Sequence, residues 1–102
     1  MVGFGSKIRK LRESKNLLLR EVAANIEIDQ ALLSKIERSE RKATKKQVLD
    51  LSNFFEIDKK ELLTLWLGEK IVDEIKNEEV AQEALKIAEQ AIKYRTNHKE
   101  KI

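Results

Sequence analysis

The sequence contains neither cysteine nor proline. Without cysteine there are no disulfides, thiolate metal sites or cysteine nucleophiles, which suits a reducing compartment. Glycine occurs only at positions 3, 5 and 68, and with proline absent this favours helices joined by short connections. Apolar runs never exceed three residues, as at residues 17–19, far short of the roughly 20 that span a bilayer. The N-terminal stretch places its charges after its apolar residues and lacks the long apolar segment of a signal peptide. A cytoplasmic protein with no membrane partner is therefore expected. Aromatic residues make up 5% of the chain and are not interleaved with basic ones, unlike the stacking platforms of RNA or single-strand binders.

Catalytic signals are equally scarce. There is no glycine-rich phosphate loop. The acidic pairs Asp73/Glu74 and Glu78/Glu79 are adjacent residues, which do not share a helix face. His98, the single histidine, sits near the C-terminus without supporting partners and is read as solvent-exposed. No catalytic residue, metal site, cofactor or small-molecule effector is indicated, and the protein is not expected to be an enzyme.

What is present is charge and helical periodicity. Charged residues make up 38% and apolar residues 41% of 102 residues, with a net charge of +3. The basic excess is uneven. Residues 1–68 carry 14 Lys/Arg against 10 Asp/Glu, and residues 69–102 carry 7 against 8. A polyanion should therefore bind the first two-thirds.

Within residues 6–15, Ile8, Leu11 and Arg12 share one helical face, with Phe4 at its entry and Asn16 as a stop that tolerates a left-handed backbone. A short second helix spans residues 18–25, with Val22, Ala23 and Ile26 inward. Asp29 caps a third helix running to about Arg38, whose apolar stripe is Ile28, Leu32, Leu33 and Ile36. Thr44 with Gln47 forms a capping box ahead of Val48, Leu51 and Phe55. Asp58 with Glu61 repeats that form ahead of Leu62, Leu63 and Trp66. Residues 69–93 are helical by pattern, with Asn77 and Glu78 either a break or a polar turn of one long helix, and residues 96–102 read as a frayed tail.

Residues 18–38 thus place a short helix, a connection of about four residues and a second helix in sequence, the plan of a helix-turn-helix whose second helix enters the major groove. Gln30 and Lys35 suit base edges, and Ala31 is small enough for close approach. Ser34, Arg38, Arg41 and Lys42 suit phosphate oxygens, which position without reading sequence.

The stretch from Ile8 to Leu63 resembles the helix-turn-helix domain of the Cro/C1 or XRE family. The resemblance is carried by Ile8, Arg9, Lys10, Leu11 and Arg12, by Val22 and Ala23, by Leu33, Ser34, Lys35, Ile36, Glu37 and Arg38, and by Glu40 and Arg41. It implies that Gln30, Ala31 and Lys35 face bases, with Leu32 against a thymine methyl. It further implies that Ser34, Arg38 and Arg41 touch the backbone, and that Arg12 and Glu37 form a structural ion pair. The chain departs from the pattern at Leu18 and Leu19, where a Ser-Gln opening is common, and at Ala43, a common proline. Glu27 and Ser39 stand where glycine is usual, and a positive φ at Glu27 would carry strain.

The expected fold is all-α: a five-helix lambda-repressor-like domain at residues 4–67, then one or two C-terminal helices within residues 68–95. Restriction–modification controllers and phage-type repressors resemble this plan, and they append helices for dimerisation. Trp66, Val80, Ala84, Leu85, Ile87, Ala88, Ala91 and Ile92 are the candidates for that role, since so wide an apolar stripe does not suit an exposed monomer surface. The expected protein is a homodimeric regulator on double-stranded DNA. The alternatives are an antitoxin-like or adaptor protein whose C-terminal helices bind another protein, and a non-specific nucleoid or RNA binder.

Overall fold

The computed structural model describes residues 3–99, and side chains for residues 3–97. Tail residues 100–102 and the side chain of His98 lie outside the described part. Six helices and no strand occur among the described residues: α1 (Phe4–Ser14), α2 (Leu19–Asn25), α3 (Gln30–Glu37), α4 (Lys45–Phe55), α5 (Lys59–Ile75) and α6 (Ala81–Lys99). They form two units, the first extending to Lys70 and the second beginning at Ile71.

Local chemistry explains most helix ends. Asp29 Oδ1 accepts the Ala31 N–H at 3.0 Å, and Asp58 Oδ1 accepts that of Lys60 at 2.9 Å. Thr44 and Gln47 form both halves of a capping box, at 3.2 and 2.9 Å, satisfying two donors that a helix start otherwise leaves orphaned. At α2 only half a box exists. Glu21 accepts the Leu18 N–H at 2.9 Å, but the Leu18 side chain has no acceptor to return. Four non-glycine residues, Asn16, Glu27, Ser39 and Glu56, have φ of 55–61°. Each follows a helix and turns the chain back on itself. Only Asn16 among them is a residue type that favours this region.

The core of the first unit gathers Phe4 and Ile8 from α1, Val22 and Ala23 from α2, and Ile26 from the turn. Leu33 and Ile36 from α3, Ala43, then Val48, Leu51 and Phe55 from α4, and Leu62 from α5 complete it. Each large side chain buried there stabilises by about 1.5–3 kcal/mol over an exposed one. Leu11, Leu63 and Trp66 pack against this core as partly buried residues. Gly5 is buried where α1 meets the end of α3. A Cβ there would press on the Ile36 carbonyl oxygen and stand 2.7 Å from that of Glu37.

Two expected boundaries move. The fifth helix does not stop at Leu67 but runs through Gly68 to Ile75. One glycine costs a helix only about 1 kcal/mol, and no proline follows to end it. The unit accordingly closes at Lys70. The break comes at residues 76–80, around Asn77 and Glu78, which decides between a break there and one long helix. The last helix continues past residue 96 to Lys99, so residues 96–99 are helical. Its residues are mostly good helix formers, and Glu89 pairs with Lys93 one turn on at 3.2 Å. In the second unit, the described side chains of α6 leave Leu85, Ile87, Ile92 and Tyr94 exposed, as is Val80 just before it. No helix among the described residues is long and apolar enough to cross a membrane.

Candidate nucleic-acid interface

The residues that could meet DNA are positioned by α3 and by what holds it. Packing of α3 against both α1 and α2 buries Leu33, Ile36 and Glu37, which leaves the opposite face outward. There Gln30, Ala31 and Lys35 are exposed and Ser34 is half-buried. With Arg38, Asp29 and Leu19 they line one open depression. Five of the eight residues read from the sequence as DNA-facing are thus brought together. Arg41 and Lys42 lie beyond, exposed in the loop that joins α3 to α4.

Leu32 does not join that face fully; it is half-buried and packs against the core. Leu19 does join it, and it replaces the polar side chain usual at that position with an apolar one. Its place at the first position of α2 was the available signal. Electrostatics temper the cationic face. Arg38 pairs with Glu40 at 2.7 Å and donates from Nε to the Ser34 carbonyl at 3.3 Å. Lys42 also interacts within the chain. Lys46, at the start of α4, is held by Asp50 at 2.9 Å; that hydrogen bond raises its pKa above the ordinary lysine value.

The far end of α3 is fixed by an ion pair. Arg12 donates from Nε to Glu37 Oε2 at 2.8 Å and from Nη2 to Oε1 at 2.9 Å, while Nη1 reaches the Leu17 carbonyl at 2.9 Å. The Glu37 side chain is 4% exposed and that of Arg12 14%. The hydrogen bond to Glu37 raises the Arg12 pKa further above its already high value, against a smaller opposing effect of burial. This bidentate fork links α1, the loop after it and the last residue of α3.

Two further ties escape local reading. Glu69, from α5, accepts the Phe4 N–H at 2.7 Å and so caps α1 from 65 residues away. Trp66 donates its indole N–H to the Ala43 carbonyl at 2.7 Å, and Lys70 Nζ stands 4.5 Å over its ring. Trp66 therefore belongs to the first unit. The other seven dimerisation candidates, Val80, Ala84, Leu85, Ile87, Ala88, Ala91 and Ile92, lie in the second and are exposed. Among the described residues no group of three or more His, Cys, Asp or Glu could hold a metal ion.

A family model for the helix-turn-helix matches residues 8–62, more than half of the chain. The chain belongs to the XRE-type helix-turn-helix family. It is a DNA-binding protein of the transcription-regulator class. Among solved structures, this helix-turn-helix protein is similar to the restriction-modification controller protein C.AhdI from Aeromonas hydrophila. The identity is 30% and the TM-score 0.56, over 60% of this chain and 92% of the controller. It also resembles in fold a chain of a complex of the SinR and SinI proteins, at 23% identity and TM-score 0.54, over 95% of this chain and 99% of that one. No curated protein matches the sequence.

Proposed function

We propose that this helix-turn-helix protein is a sequence-specific regulator of transcription that binds an inverted-repeat operator as a homodimer. The observation that carries the reading is the outward face of α3, where Gln30, Ala31, Ser34, Lys35 and Arg38 meet at one open depression. Gln30 and Lys35 serve as base readers, because their amide and ammonium groups match major-groove acceptors and donors, and Ala31 is small enough to let the helix approach the base edges. Ser34, Arg38, Arg41 and Lys42 serve as phosphate contacts that set register and make binding salt-sensitive. The likeness to a restriction-modification controller supports a role in gene control rather than in packaging DNA.

Homodimerisation rests on the second unit. Val80, Leu85, Ile87, Ile92 and Tyr94 are 44–70% exposed, an apolar surface wide enough to call for a cover. A second copy would set two recognition helices in successive major grooves, roughly 34 Å apart.

Selection of bound sequences from a random duplex library at near-physiological salt tests the reading. Recovery of an inverted repeat with half-sites about ten base pairs apart is expected, and enrichment of no motif would overturn it. Lys35→Ala and Gln30→Ala should each reduce discrimination between operator and random DNA by about 1–3 kcal/mol. Equal losses on both DNAs would remove them as base readers. A monomer at micromolar concentration in sedimentation equilibrium would shift the apolar face to a heterologous protein partner, as in the antitoxin or adaptor reading.

A further inference from the structure

The loop between α3 and α4 carries Arg41 and Lys42, and its two ends are fastened locally. At its start Ser39 adopts a left-handed backbone, and the Glu40 and Arg41 N–H groups return to the Lys35 carbonyl at 2.9 and 3.3 Å. At its end Thr44 enters the capping box of α4. Between these lies Ala43, 5% exposed, whose carbonyl accepts the Trp66 indole N–H. That bond comes from α5, one turn after Leu62, which is fully buried. An indole N–H turned inward from solvent requires an acceptor. Here the acceptor is the backbone of the loop, at the residue after the two exposed cations.

We propose that Trp66 is a positioning residue for DNA backbone contact, its indole N–H holding the loop so that Arg41 and Lys42 are presented before DNA arrives. The proposal rests on the reading of Arg41 and Lys42 as phosphate contacts. The hydrogen bond holds the Ala43–Thr44 peptide, and so restricts the backbone freedom of the loop at the residue next to Lys42. A loop already ordered does not lose that freedom on binding, which is how preorganisation raises affinity. Lys70 over the indole face adds a cation–π contact that fixes the ring from the side. Leu62, lodged in the core independently, sets the depth from which the indole reaches the loop.

The test is Trp66→Phe, which keeps an aromatic ring and removes the N–H donor. Amide hydrogen exchange of the free protein reads the anchor without DNA: residues 41–43 should exchange faster in the variant, with other core amides unchanged. Unchanged exchange in the loop would overturn the anchor. Binding to duplex DNA reads the consequence. Affinity should fall about 3- to 10-fold, the range of one hydrogen bond, and by the same factor on operator and random DNA. The slope of log affinity against log salt should become shallower by about 0.9 for each phosphate that the loop no longer neutralises.

A purely structural tryptophan would lower the melting temperature and leave that slope alone, and such a result would overturn the proposal. In an Arg41→Ala, Lys42→Ala background, Trp66→Phe should cost nothing further in affinity. A full additional loss there would show that it acts elsewhere. Absence of DNA binding by the wild-type chain would remove the phosphate-contact reading and this proposal with it, while the exchange result would still report the anchor.

Discussion

Truncating Arg12 to alanine removes three hydrogen bonds at once: two to Glu37 and one to the Leu17 carbonyl. Those bonds are not the larger part of the effect. Glu37 is left in a site where its side chain is 4% exposed, and a buried carboxylate without its cation costs about 3–5 kcal/mol. For a chain of 102 residues that is a large share of a typical 5–15 kcal/mol stability. It corresponds to a melting temperature lower by roughly 12–40 °C. Urea unfolding followed by helical circular dichroism is the assay, with the midpoint falling at unchanged slope.

The partner control is Arg12→Met with Glu37→Met, which leaves no charge behind and should recover most of the loss. A raised guanidinium pKa in the fold means the Arg12 contribution is complete below its unfolded value and is lost only as pH rises through the higher folded one. The Arg12 contribution should therefore be level through neutral and moderately alkaline pH. A loss below about 1 kcal/mol for Arg12→Ala would refute the reasoning, since it would show that water reaches Glu37 and replaces the arginine.

Gly5→Ala should destabilise by about 1–3 kcal/mol or more, because the atoms in its way are backbone carbonyls at the end of α3 that cannot rotate aside; an unchanged urea midpoint would contradict the packing. Gly68→Ala meets nothing within 4 Å and lies inside α5, so it should stabilise by about 0.5–1 kcal/mol. A decrease in thermal stability would indicate that the helix does not pass through residue 68. Glu40→Gln should release Arg38 and raise DNA affinity about 1.5- to 5-fold at low salt, the range of an exposed ion pair. A fall in affinity by fluorescence anisotropy would show that the Arg38–Glu40 pair orders the loop instead of competing with phosphate.

The helix starts were legible because capping acts over two or three residues, so Asp29, Thr44 and Asp58 carry both the signal and the bond it forms. The faces of α1 to α4 were legible for a similar reason: apolar residues at helical spacing meet a core whichever neighbour supplies the other half. The turns at Asn16, Glu27 and Ser39 also left local marks, whereas Glu56, also at positive φ, has no comparable marker. The engagement of Arg38 was not legible, because nothing in residue type alone distinguishes a cation available to phosphate from one already paired with Glu40.

The remaining features depend on distance along the chain. Gly5 is one more residue of a glycine-containing N-terminus until α3 crosses it. Glu69 belongs by position to an extension, and Trp66 is one more apolar residue of the fifth helix, until the fold brings them to Phe4 and Ala43. The amino-acid sequence alone determined which segments are helical, where most begin, and which face of α3 stays outward, since these follow from periodicity and from bonds spanning a few residues. The tertiary structure alone decided where α5 leaves the domain, what caps α1 and what fastens the loop after α3. Those contacts join groups 23 and 65 residues apart, and no local pattern specifies which buried donor will reach which carbonyl once the helices have packed.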